Sequence, residues 1–334
     1  MRTQLISNGT PDGSASQAPK HKTVLLQEVL DLLDIQSSDR VFDGTLGSAG
    51  HAIEILKILG KDAYYLASDL DPKAIERSLK RIEKINPKAK IQTCNKSFKD
   101  IKECLELAKL KSVDKILLDL GWSQDQFEDS GKGFSFMKDE KLDMRFGDSD
   151  DYIFNAYDIV NSWQVENIEE IIRGFGGERF AGRIARAIDK ARSIAPIESS
   201  VELADIVRKA YPRFKTKSKI HPATKTFQAL RIAVNRELET LQEALDNMHS
   251  VLSPGGRIAV ISFHSLEDRI VKRKFKQWAK DGLGVLLNKK PVTASKKELK
   301  ENKRARSAKL RVYEKKTNTK EKTKNTSNRI VASF

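Results

Sequence analysis

Apolar and polar positions change rhythm several times along this chain. Val24, Leu25, Val29, Leu32 and Leu33 recur at helical spacing and predict a helix within residues 21–35. Val41 and Phe42 then lead into Asp43 and three glycines, Gly44, Gly47 and Gly50. An apolar run follows: Ala52, Ile53, Ile55, Leu56, Ile58 and Leu59. That order predicts strand, glycine turn and helix. A second strand over residues 64–69 ends in Asp69. Pro72 suits the first turn of a helix running towards residue 85. Residues 90–94 predict a third strand, 101–110 a helix, and the apolar run 115–120 a fourth strand with Asp119 at its end. Strands alternating with helices imply a parallel sheet buried on both faces.

The alternation stops after residue 120. Residues 121–150 are rich in Gly, Asp, Ser and Phe, and three helical runs follow near 165–173, 178–191 and 201–210, with Ser199 and Ser200 placed to cap the last. No strand pattern occurs between 121 and 219, which predicts a helical insertion in the sheet domain. Phe227, Leu230, Val234, Leu238, Leu241, Leu245 and Met248 predict one long helix over 223–249. Ser253-Pro-Gly-Gly256 ends it, 257–262 is a fifth strand, and 284–287 with 309–313 form a closing strand pair. The expected division is a flexible tail (1–20), the sheet domain (21–124 and 219–315), an inserted helical subdomain (125–218) and a basic disordered tail (316–334).

Composition changes this picture in one respect. Of 334 residues 39% are hydrophobic, enough for a sizeable core, and the formal net charge of +15 is very unevenly spread. Residues 272–334 carry 21 Lys and Arg against 5 Asp and Glu, whereas the rest carries 40 against 41. Such asymmetry points to a polyanionic partner or to a solubilising tail. The two cysteines, Cys94 and Cys104, form no C-x-x-C pair, so reduced thiols are expected and neither a disulfide framework nor a cysteine metal site. Residues 1–20 lack the apolar stretch of a signal peptide, and no window is long and apolar enough to span a membrane. A cytoplasmic protein is expected.

Ligands of open α/β sheets sit beyond the carboxyl ends of the strands. Asp43, Asp69, Asn95, Asp119 and His264 all fall at such ends, which predicts one shared cleft. The spacing G-x-x-G-x-x-G lacks the close first pair of the dinucleotide fingerprint G-x-G-x-x-G. A carboxylate at Asp43 would repel a pyrophosphate and attract a cationic amino acid, and Asp69 suits the hydroxyls of a ribose. S-adenosylmethionine, with an ammonium, a sulfonium and a ribose but no phosphate, fits better than NAD.

The motifs Asp43-Gly-Thr-Leu-Gly-Ser-Ala-Gly-His51, Leu118-Asp-Leu-Gly121, Gly133-Phe-Ser-Phe136, Leu142-Asp-Met-Arg145, His221-Pro-Ala-Thr-Lys-Thr-Phe-Gln-Ala-Leu-Arg231 and Ser262-Phe-His-Ser-Leu-Glu-Asp-Arg269 resemble the bacterial RsmH (MraW) family, in order and over nearly the whole chain. The resemblance implies a class I (Rossmann-like) methyltransferase sheet with an inserted helical substrate-recognition subdomain. It implies N4-methylation of a cytidine in the decoding region of 16S rRNA in the small ribosomal subunit, with S-adenosylmethionine as donor and a homodimer plausible. Carried over, Asp43, Gly44, Ala49, Gly50 and His51 line the methionine side. Asp69 holds the ribose, Phe98 lies by the adenine, and Asp119 and Gln126 are near the adenine and the transfer site. This chain departs from the family at Ser48 and Ala49, in Gly121-Trp-Ser-Gln-Asp-Gln126, and at Lys132 and Lys225, which replace Arg and lose its bidentate pairing.

For the chemistry, Asp119 is the first choice of acceptor for the cytosine N4 proton, against a turn-capping role. His264 either orients the base or makes structural hydrogen bonds. Trp122, Phe134 and Phe136 either stack on an extruded base or pack in a core. Arg145 either touches RNA or pairs with Asp143; His221 and Lys225 are candidate RNA contacts. No metal site is visible from ligand spacing. Two other readings remain open: a methyltransferase of this fold acting on DNA or a small molecule, and an RNA-binding protein without catalysis.

Overall fold

The computed structural model describes residues 22–120, 131–147, 152–212 and 221–317. The expected tails and the loop bearing Trp122 and Gln126 lie outside the described residues. Seven strands form one sheet: β1 (Arg40–Asp43), β2 (Tyr64–Ser68), β3 (Lys90–Cys94), β4 (Val113–Asp119), β5 (Leu252–Ser262), β6 (Gly284–Leu286) and β7 (Lys309–Lys315). Their order is β3-β2-β1-β4-β5-β7-β6, with β7 alone antiparallel to its neighbours. The chain therefore reverses its direction of winding between β1 and β4, which opens a crevice beyond their carboxyl ends.

Period-two alternation explains how both faces are buried. Val41, Tyr65, Leu117, Ala259 and Ile261 face a core completed by α1 (Leu26–Leu33), α2 (Gly50–Ile58) and α3 (Pro72–Glu83). Phe42, Leu66, Ile116, Leu118, Ile258 and Val260 face the opposite core, built with α4 (Ile101–Leu107), α10 (Glu237–Val251) and α11 (Ser265–Lys280). The closing pair was expected, and β6 and β7 do pair, antiparallel. A short helix before β7, α12 (Lys296–Glu301), carries no apolar stripe that would announce it and is capped by Ser295.

A third core is built by helices and the loop residues Leu142 and Met144, with no strand of the sheet. It unites α5 (Ala156–Ser162), α6 (Val165–Gly174), α7 (Ala181–Arg192), α8 (Ser200–Ala210) and α9 (Thr224–Val234) around Ile159, Ile172, Ile184, Leu203 and Leu230. Two expectations change here. Helix α5 was not anticipated, although Asn155 and Asp158 form a reciprocal capping box at its start. The long helix over 223–249 is two helices. Arg236 adopts a left-handed conformation (φ 48°) between α9 and α10, so α9 faces the helical core while α10 faces the sheet.

Asn235 fixes this break. Its side chain accepts from Phe146 N (2.8 Å) and donates to the carbonyls of Met144 and Arg231 (both 2.8 Å). The cysteine expectation is also corrected. Cys94 and Cys104 form a disulfide, Cα atoms 5.8 Å apart, because the 3₁₀ turn Phe98–Asp100 folds α4 back against the end of β3. Asn235→Ala should destabilise the chain by about 2 kcal/mol, since a buried N–H and carbonyl lose their partners; urea unfolding of both proteins measures the difference.

Candidate active site

The turn that follows β1 touches the ends of three neighbouring strands. Asp43 Oδ1 accepts from Thr45 N (3.1 Å), Thr45 Oγ1 accepts from Asp119 N (2.7 Å), and Gly47 N donates to Asp69 Oδ2 (2.9 Å). Three carboxylates from β1, β2 and β4 are thus held around one five-residue segment. Gly44 must be glycine, because a Cβ there would lie 2.5 Å from Leu118 Cδ2 and 2.8 Å from Phe98 Cβ. Gly47 is left-handed (φ 49°), and so is Ala49 (φ 60°), which carries the strain of a side chain in that conformation. Gly50 opens α2, where any side chain would collide with Thr23.

The three acids differ in surroundings. Asp43 is buried, and its Oδ2 accepts from the Tyr65 hydroxyl at 2.6 Å. Burial pushes its carboxyl up to about 6, and the neighbouring Asp69 adds to the shift, while the Tyr65 and Thr45 donors oppose it. Tyr65 escaped sequence reading; it lies beside Val41 in the register and so on the same face as Asp43. Asp69 also rises above its ordinary value through burial, although it accepts from Gly47 N and from Asp71 N (3.0 Å). Among the described residues neither Asp43 nor Asp69 has a Lys or Arg partner. Asp119 Oδ2 lies 3.7 Å from His51 Nδ1, and the other ring nitrogen of His51 faces the Val24 carbonyl at 3.1 Å. Facing a carbonyl, that Nε2 carries a hydrogen.

This donor set fits S-adenosylmethionine. Carboxylates without paired cations suit an ammonium, a sulfonium and ribose hydroxyls, and disfavour a phosphate. The glycine at position 44 lets the turn pack directly on Leu118 and on Phe98, the residue expected by the adenine.

His264 sits at the neighbouring strand end and caps α11: its Nδ1 accepts from Glu267 N (3.4 Å), and Glu267 Oε2 accepts from Phe263 N and His264 N. The ring lies 3.1 Å from Glu267 Oε1. Glu237 completes a cluster with these two residues and also pairs in bidentate fashion with the partly buried Arg231 (2.7 and 3.0 Å). Arg231 and backbone N–H groups therefore occupy the carboxylates of this cluster, and it ties α9 to the β5–α11 turn. Nothing in the motif spacing revealed that Arg231 and Glu267 converge.

The described candidate substrate residues sit on the helical unit. Phe134 stacks on Phe146 (5.5 Å), and Phe136 packs between His221 (4.5 Å) and Phe227 (5.1 Å), all against the helical core. Arg145 is clamped to Asp143 by two 2.8 Å bonds. His221 Nδ1 accepts from Ala223 N at 3.2 Å, and Lys225 donates to the Gly177 carbonyl at 3.0 Å. Trp122 and Gln126 lie outside the described residues.

A carboxyl raised on folding holds its proton more tightly in the native state than in the unfolded chain. The stability this confers is complete below about pH 4 and is lost as the pH rises through about 6. Relative to Asp43→Asn, the ligand-free wild type should therefore lose about 3 kcal/mol between those limits. Urea denaturation of both proteins across the range tests this, and a parallel pH dependence would refute it.

Comparison with known proteins agrees with this geometry. The model of the MraW methylase family matches residues 18–316. The chain is 41% identical over 311 residues to ribosomal RNA small subunit methyltransferase H of Ruminiclostridium cellulolyticum, covering 89% of this chain and 99% of that protein. It is 44% identical over 311 residues to the protein of the same name from Acetivibrio thermocellus, with the same coverage. Matched by the family model and by these relatives over nearly its whole length, the chain belongs to the MraW methylase family.

Proposed function

We propose that this chain transfers the methyl group of S-adenosylmethionine to N4 of a cytidine in the decoding region of 16S rRNA. The observation that carries the reading is the gathering of Asp43, Asp69 and Asp119 around one glycine turn at the point where the sheet reverses its winding. Bound there, the cofactor supplies an electrophilic sulfonium methyl. The residues of the chain do the rest. Asp69 accepts hydrogen bonds from the ribose hydroxyls, and Asp43 places negative potential behind the turn. Asp119 accepts an N4 proton, which localises the amine lone pair for attack. The His51 ring stands 3.7 Å from that carboxylate. His264 holds the β5–α11 turn at the rim, consistent with a positioning role.

The relatives' names specify small-subunit rRNA, and the excess of positive charge after residue 271 suits such a polyanion. An assembled small subunit as substrate, a cytoplasmic location and a homodimer belong to the same reading. Among the described residues no helix is long and apolar enough to cross a membrane.

Incubation with tritiated S-adenosylmethionine should label 16S rRNA or small subunits, with N4-methylcytidine as the product in mass spectrometry. Asp119→Ala should lower kcat by about 10²–10⁴-fold, whereas Asp69→Ala should weaken cofactor binding in calorimetry. Label confined to DNA would sink the rRNA assignment, and full activity in Asp119→Ala would sink the assigned acceptor.

A further inference from the structure

Helix α11 carries six basic residues, and five of them share one outward face. Arg269, Lys272, Arg273, Lys276 and Lys280 are all exposed. At 3.6 residues per turn they fall within an arc of about 100° and extend over about 16 Å of helix. No ion pair engages any of the five among the described residues. The sixth, Lys274, lies off this arc and pairs with Asp246 of α10 at 2.8 Å.

The acids of the same helix point elsewhere. Glu267 turns inward to cap the helix at His264. Asp268 is held by Arg311 (2.7 Å) and Lys309 (3.4 Å) of β7. Asp281, just beyond the helix, accepts from Gln277. The arc is thus cationic throughout. Strand β6 packs against α11 and is followed by the exposed Lys289 and Lys290, which extend the charge.

The position of the stripe gives it a direction. Helix α11 starts at His264, directly after β5, and the end of β5 pairs with the end of β4: Asp119 lies opposite Ile261, and Leu120 N donates to Ile261 O at 3.0 Å. Arg269 therefore lies little more than one helical turn from the rim of the candidate active site, and Lys280 lies at the far end of the track.

We propose that this face of α11 is the track for the phosphodiester backbone of the RNA on one side of the target nucleotide. Five solvated, unpaired cations along a straight line neutralise successive phosphates without reading bases, so the track contributes affinity and register but no sequence information. The proposal rests on the rRNA reading above and adds a second contact surface, separate from the helical unit that the family resemblance links to substrate.

The test uses the full chain with all five residues changed to Gln, which keeps helix propensity, and a companion with Lys272, Lys276 and Lys280 changed to Arg. Filter binding to a 16S rRNA fragment is measured against salt, beside tritium transfer at saturating RNA. Each lost phosphate contact should reduce the slope of log affinity against log salt by about 0.7. The Gln variant should lose up to about 3.5 units of slope, and its KM for RNA should rise at least tenfold. Its kcat and cofactor affinity should stay within about twofold, and the Arg companion should behave as wild type. An unchanged slope in a folded Gln variant overturns the proposal, as does a stripe-dependent affinity for phosphatidylserine vesicles that exceeds that for RNA. Absence of methyl transfer by wild type while the slope still falls would refute the enzymatic reading and leave the track standing.

Discussion

The five residues from Asp43 to Gly47 form the constraint on which the site depends. They end β1, reverse the chain over the floor made by Leu118 and Phe98, and hydrogen-bond to the ends of β2 and β4. Parallel strands reach this meeting point from separate stretches of sequence, and glycine at positions 44 and 47 lets the turn pass closely between them. Asp43 illustrates the tension in the arrangement. Its burial disfavours charge, and the Tyr65 hydroxyl and Thr45 amide recover only part of that loss. Residues held against their own preference in this way are characteristic of sites built to receive a charged partner.

The second organising contact joins the helical unit to the sheet. The break at Arg236 turns one apolar pattern into two helices serving two cores. Across it, Arg231 and Glu237 form a partly buried bidentate pair whose field also includes Glu267, the residue that holds the His264 cap. A pair withdrawn from water in this way contributes little net stability but penalises any alternative placement of its partners. The two long family motifs around His221–Arg231 and Ser262–Arg269 thus meet in space, and their shared work is to set the helical unit against the rim of the sheet.

Much of this was legible in the sequence, for identifiable reasons. The strands announced themselves because both faces of the sheet are buried, which leaves uninterrupted apolar runs such as Ile116-Leu-Leu118. The glycine turn and the acids at strand ends were readable because backbone geometry demands those residue types there. The break at Arg236 was not, since apolar positions keep helical spacing on both sides and a left-handed residue without glycine leaves no mark. Helix α5 was hidden in a segment dominated by turn-forming residues, although its Asn155 and Asp158 box was present. The Cys94–Cys104 pairing and the Arg231–Glu267 approach depend on tertiary contacts that no local spacing encodes.

The distribution of charge decides how a nucleotide enters such a site. Three acids around one turn attract a sulfonium and an ammonium, and by the same field repel phosphates. Exposed charges more than about a Debye length apart, 8–10 Å at physiological salt, are largely screened from one another. Here the acids lie at the strand ends, while the cations of α11 begin just beyond the rim and run away from it. An RNA strand lying over the cations keeps its phosphates outside the acidic pocket, and a neutral base is the one part of the nucleotide able to cross the boundary. Extrusion of the base from its stack, the usual solution for chemistry on nucleobases, is thus favoured by the electrostatics of the rim as well as by the need to reach the reacting atom.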